Sequence, residues 1–271
     1  MSDAQIEREG EREDGPLMTH VGRALWAEHL LFGKNMYRDI VPLGAVQLLP
    51  LFIGGITLPP AEAEVFSRFC VCTCITDPHI WPLKIARLGS SYGRMVPGVV
   101  TGALLQESSR IGAAPTSGSA HWLLALIAEV GADPSDAVLF ERLEHIITTQ
   151  KLLPGFGVPF RDVDERVEAV RRVVNEAGFE NRPHWKLFVR VAHWIALNKR
   201  IAPNLASATA ALLLDLGFAP DDTGTVIFIL VLLTQFANAV EGAKQAPRLM
   251  RALGEETVVY AGEPPRLSSR A

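Results

Sequence analysis

Apolar residues recur at helical spacing along most of the chain, so the sequence predicts a fold built of helices. The expected helices cover 45–52, 61–75, 82–88, 96–107, 119–130, 136–148, 164–177, 183–199, 204–216 and 223–243. Alternating stretches bounded by hairpin turns are missing from this pattern, which makes the expected fold class all-α. Gly217 closes the helix over 204–216, and Gly131 with Asp133-Pro134-Ser135 separates two others. From Val226 to Leu233 the chain is apolar all round, with Asp221, Asp222, Gln235, Asn238 and Glu241 on either side. That run is shorter than the roughly 20 residues of a membrane span, so it is expected in the core or, by preference, in a subunit interface.

At 271 residues the chain can bury a core without disulfides or structural metals, as one large domain or two unequal ones. Its formal charge of −4 gives no electrostatic reason for a nucleic acid or anionic membrane partner. Cys70, Cys72 and Cys74 lack the spacing of a zinc site, so no metal is expected and the thiols read as small apolar helix residues in a reducing, cytoplasmic setting. Residues 1–15 form a polar tail without the apolar stretch of a secretory signal, and 263–271 form a second loose tail. Trp185 and Trp194 read as packing anchors, and Lys186, Arg190, Lys199 and Arg200 as a solvated face. Arg248 and Arg251 are within reach of a neighbouring subunit's ligand.

The first candidate for chemistry is Leu152-Leu153-Pro154-Gly155-Phe156-Gly157. Such a turn either merely joins two helices or, because glycine lets the backbone approach closely, reads a nucleotide through amides and carbonyls. With Arg161-Asp162 and Asp164-Glu165-Arg166 beyond it, the segment resembles the Gly-Phe-Gly-His loop and Asp-Pro-Arg element of the citrate synthase superfamily. Three more stretches agree in order: residues 47–62 (QLLPLFIGGITLPPAE), Arg87-Leu88-Gly89-Ser90-Ser91 with the small-residue helix after it, and Pro203-Asn204 with the helices that follow. The brevity of the chain suggests the small citryl-CoA lyase-like branch. The resemblance implies a large helical domain (16–155 and 220–262), a small one (156–219), a coenzyme A ester in the cleft and a homodimer with composite sites.

Where that family places two histidines and an aspartate, this chain has Ser117, Val158 and Ala206, and its substrate-carboxylate arginine is matched by Leu232. A methyl group cannot accept a proton, so the ordinary chemistry is expected to be replaced or absent. Replacement catalytic candidates are His79 with Asp77, Ser117 and His121. Coenzyme A contacts are expected from Leu153, Pro154, Gly155, Phe156, Gly157 and Arg161, and substrate contacts from Arg166, Asp162 and Asn204. Each has a plain alternative: Asp77-Pro78 is also a helix start, His79 and His121 also suit a surface or structural role, and Arg161 and Arg166 also suit pairing with Asp162, Asp164 or Glu165. Two functions stay open: altered carbon–carbon bond chemistry on an acyl-CoA, or a catalytically inactive relative that binds a CoA ester or an active homologue.

Overall fold

The computed structural model describes residues 18–107, 111–149, 153–158, 162–245 and 252–263. Arg161, Arg248, Arg251 and the tail 1–15 lie outside the described residues.

The chain opens with a small antiparallel sheet that the helical pattern did not foreshadow, of β1 (Gly22–Ala24), β2 (His29–Leu31) and β3 (Lys34–Asn35) in that order. Phe32 and Gly33 join β2 to β3 with φ of 48° and 74°, as a two-residue hairpin turn requires. Strands of two and three residues are too short to show alternation, and Phe is an unusual residue at positive φ.

After three short helical turns come α1 (Leu48–Gly54), α2 (Pro60–Cys72), α3 (Trp81–Ser90), α4 (Met95–Gln106) and α5 (Ala113–Val130). They are followed by α6 (Asp136–Thr149), α7 (Glu165–Glu176), α8 (Pro183–Lys199), α9 (Leu205–Asp215) and α10 (Pro220–Ala243). Asp164 and Asn204 cap α7 and α9 through their side chains. Two starts differ from expectation. α5 begins at Ala113, because Pro115 falls in the first turn, where a missing N–H costs nothing. α10 begins at Pro220 for the same reason.

The helices share one buried cluster, which includes Phe66, Phe69, Leu126, Leu143, Val170, Trp185, Leu187 and Leu213. Burying each such side chain contributes about 1.5–3 kcal/mol. α10 is the axis of the fold and packs against α3, α4 and α5. The approach to α3 is close enough that a Cβ on Gly242 would stand 2.2 Å from the Arg87 carbonyl oxygen, and α4 meets α3 as closely, a Cβ on Gly98 falling 2.4 Å from the Ala86 carbonyl oxygen.

α10 has 24 residues, and an 18-residue stretch of it has a mean hydropathy of 1.8, so it is long and apolar enough to cross a membrane, unlike the shorter run read from the sequence. Half of that stretch is buried in the fold. Its polar groups also turn inward: Gln235 Nε2 donates to Gln106 Oε1 at 2.6 Å, and Asn238 Nδ2 donates to the Thr76 carbonyl at 2.8 Å. Leu233, Phe236 and Val240 on α10, and Val96, Val100 and Leu104 on α4, remain exposed.

Candidate functional site

Residues 153–158 lie between α5 and the start of α9. Phe156 pairs with Pro203 in an isolated antiparallel bridge, and Gly157 N–H donates to the Ala202 carbonyl at 2.8 Å. The Gly155 carbonyl accepts from Asn204 N–H at 2.9 Å and from Ser207 Oγ at 2.8 Å. Asn204 is used twice more, with Oδ1 accepting from Ala206 N–H at 3.0 Å and Nδ2 donating to the Gly157 carbonyl at 2.9 Å. On the other side a Cβ on Gly118 would stand 3.5 Å from Pro154, and the Phe156 ring meets Trp122 edge-on with centroids 6.2 Å apart. Gly155 is required here: its φ is 82°, and a Cβ would fall 2.5 Å from Ser119 Oγ.

This junction includes chain neighbours of the three positions that the resemblance matched to reactive groups. Ser117 adjoins Gly118, Val158 follows Gly157, and Ala206 precedes Ser207. Ser117 Oγ turns back to the carbonyls of Ala113 at 3.4 Å and Ala114 at 3.3 Å.

Asp164 braces the junction from below. Its buried carboxylate accepts from Arg166 Nε at 2.7 Å, from Arg166 Nη2 at 2.8 Å and from Leu205 N–H at 2.9 Å. Burial alone would push this carboxyl upward, but the Arg166 guanidinium and the two backbone N–H groups outweigh it and hold Asp164 below the usual carboxylate range. Arg166, expected to hold substrate, is thus engaged with Asp164, and Asn204 with the turn.

A cavity of about 310 Å³ opens beside the turn, lined by Gly157, Val158, Asp162, Arg200, Ile201 and Ala202. Arg200 ends α8 in the left-handed conformation, with φ 56° and ψ 35°, where glycine is the usual residue. The expected solvated face of α8 is mostly pinned instead: Lys186 and Arg190 bind Asp133, Arg190 also binds Asp136, and Lys199 binds Glu144. Arg200 has no ion pair among the described residues and lines the cavity. The sequence places Arg200 on a solvated face, and it is exposed; what sets it apart is its backbone angle.

The other candidates divide into two places. His121 Nε2 lies 2.6 Å from Asp221 Oδ1, which joins α5 to the start of α10. His79 Nδ1 lies 2.6 Å from Asp77 Oδ1, in the loop before α3. Asp77-Pro78 does not start that helix, whose cap is Ile80; the Asp77 carboxylate instead accepts the His79 N–H at 2.8 Å. The His79 loop is held at Thr76 by Asn238, and Asn238 and Asp221 are about 25 Å apart along α10 at 1.5 Å per residue. His79 and Asp77 therefore do not gather with Ser117 and His121 within one chain. Burial pushes the Cys70 thiol up to about 12 and also raises Cys72, as suits thiols that pack.

No protein-family profile and no curated protein matches the sequence. Solved structures do match. The chain is similar to citryl-CoA lyase from Hydrogenobacter thermophilus, with a TM-score of 0.78 and 20% identity over 93% of this chain and 97% of that one. It is similar to ATP citrate lyase from Methanosaeta concilii in complex with (3S)-citryl-CoA, with a TM-score of 0.73 and 16% identity over 97% of this chain and 45% of that one. For citrate synthase from Thermotoga maritima the TM-score is 0.60 and the identity 17%, over 82% of this chain and 59% of that one. The chain has the citrate synthase-like helical fold, in the short form of the citryl-CoA lyase.

Proposed function

We propose that this chain binds an acyl-coenzyme A thioester at the turn of Leu153, Pro154, Gly155, Phe156 and Gly157, as part of a homodimer. The observation that carries this reading is the cavity beside Gly157, with Arg200, which has no ion pair among the described residues, on its wall. An arginine in a backbone conformation that favours glycine, lining a cavity, suits an anionic nucleotide better than it suits the isolated chain. Asp162 on the same wall accepts hydrogen bonds only, and so suits an amino group of the base. The similar ATP citrate lyase structure, which contains (3S)-citryl-CoA, supports the same ligand class. Leu232 in place of an arginine favours a less acidic acyl group, since an apolar side chain cannot offset the desolvation of a carboxylate.

Within that reading the chemistry is an altered carbon–carbon bond reaction of the acyl group. A specific observation favours a second reading, that of a non-catalytic CoA-ester-binding protein: Ser117, Val158 and Ala206 adjoin one junction and none is a base, while His79 lies elsewhere. Isothermal titration calorimetry with CoA and acetyl-CoA tests the ligand class common to both. One site per chain is expected, weakened at least tenfold by Arg200→Glu through loss of a charge-assisted contact. Absence of binding heat for either ligand contradicts it.

A further inference from the structure

We infer that Glu144, acting through Lys199, is a positioning residue that holds Arg200 at the cavity, so that the seam between α6 and α8 sets the affinity of the site. This deepens the CoA reading and rests on it for the ligand. The two helices run side by side in the same direction, since successive contacts climb both together. Just before α6, Asp133 accepts from Lys186 Nζ at 2.7 Å, and in its first turn Asp136 accepts from Arg190 Nη2 at 2.6 Å. Phe140 then stacks on Trp194 with centroids 6.1 Å apart, and Glu144 accepts from Lys199 Nζ at 2.9 Å. Asp136, Phe140 and Glu144 are spaced four apart, as are Lys186, Arg190 and Trp194, so each set forms one stripe on its helix. Trp194 is buried, which keeps the seam in one register.

Both helices lead to the same place. The next described residues after α6 are those of the turn, from Leu153, and α8 leads into Arg200, Ile201 and Ala202, which line the cavity. Ala202 and Pro203 also pair with that turn. Lys199 is the last residue of α8 and the last rung of the seam, and its Nζ stands 5.8 Å from the centre of the Trp194 ring as well. Arg200 follows directly, left-handed, with its N–H bonded to the Ala196 carbonyl at 3.2 Å. An anchor on Lys199 therefore fixes how the helix ends, and with it the wall on which Arg200 stands. The Glu144–Lys199 pair is partly exposed, so its effect is modest and the sign of that effect is decisive. Through its field alone, loss of the Glu144 anion would strengthen binding of an anionic ligand. Through Lys199, the same loss frees the end of α8 and weakens binding.

The test is Glu144→Gln in the full chain, read by calorimetric titration with CoA and by hydrogen exchange of the ligand-free protein. Affinity for CoA should fall about threefold, and Glu144→Asp should recover part of the loss. The loss should vanish where Arg200 is already replaced by Arg200→Gly, because the two changes act on one contact. Without ligand, exchange in residues 200–204 should quicken by about the same factor, with the buried stripe of α8 unchanged. Unchanged or tighter CoA binding by Glu144→Gln, or an equal loss in the Arg200→Gly background, overturns the positioning role and leaves the CoA reading intact. A wild type that binds no CoA overturns that reading instead, and the ligand-free exchange then decides the seam: quickening at 200–204 supports it, and unchanged exchange overturns it too.

Discussion

Ser207 donates its hydroxyl to the Gly155 carbonyl at 2.8 Å, and its Cβ stands 2.6 Å from where a side chain on Gly155 would begin. One residue thus holds the turn and forbids its enlargement. Gly155→Ala combines a clash with a conformation that L-residues avoid, and should destabilise the fold by about 3 kcal/mol in urea unfolding. Gly157→Ala, also at positive φ but with nothing within 4 Å of the added Cβ, should cost only about 1 kcal/mol.

Asp164 makes stability depend on pH in a definite direction. Its folded-state pKa lies below the ordinary 3.8, so its contribution is complete above pH 4 and is lost as the pH falls through the depressed value. Asp164→Asn should therefore destabilise the protein by about 2 kcal/mol at pH 7, below the range for a fully buried pair because Arg166 keeps some solvent contact. Parallel urea titrations at pH 7 and pH 3 should show the gap between wild type and variant narrowing at the lower pH.

Arg200 separates stability from binding. If its backbone conformation serves the cavity, Arg200→Gly relieves strain at the end of α8 and raises stability by about 1 kcal/mol, while CoA affinity falls. Differential scanning calorimetry with and without CoA reads both effects on one sample. A variant that gains stability with undiminished affinity would remove Arg200 from the site.

The exposed residues Val96, Val100 and Leu104 on α4 and Leu233, Phe236 and Val240 on α10, two helices that pack together, are proposed as the dimer contact. Val100→Glu with Leu233→Glu should convert a dimer to a monomer in size-exclusion chromatography with light scattering. A wild-type monomer would contradict the assignment.

Much of this was legible in the sequence, and the reasons differ by residue. The helices expected over 164–177 and 204–216 appear as α7 and α9, capped by Asp164 and Asn204, so Asn204, read as a substrate contact, serves the backbone. Gly155 and Gly157 marked the turn, and both take positive φ. Ser117, Val158 and Ala206 were expected around one site, and the junction at Gly155 brings their neighbours together. What failed depended on contacts between distant residues. The sequence cannot say that Arg166 is taken by Asp164, that His121 finds Asp221 a hundred positions away, or that the His79 loop hangs from Asn238. The strands of the first segment were too short to carry a period, and the left-handed backbone of Arg200 has no signature in sequence.

Hydrogen exchange read by mass spectrometry, with and without saturating CoA, is the most direct test of the nucleotide turn. The account predicts ligand-dependent protection in peptides spanning 154–158 and 200–204, together with little change in the buried face of α8. Unchanged exchange in those two segments, with protection confined to another surface, would contradict it.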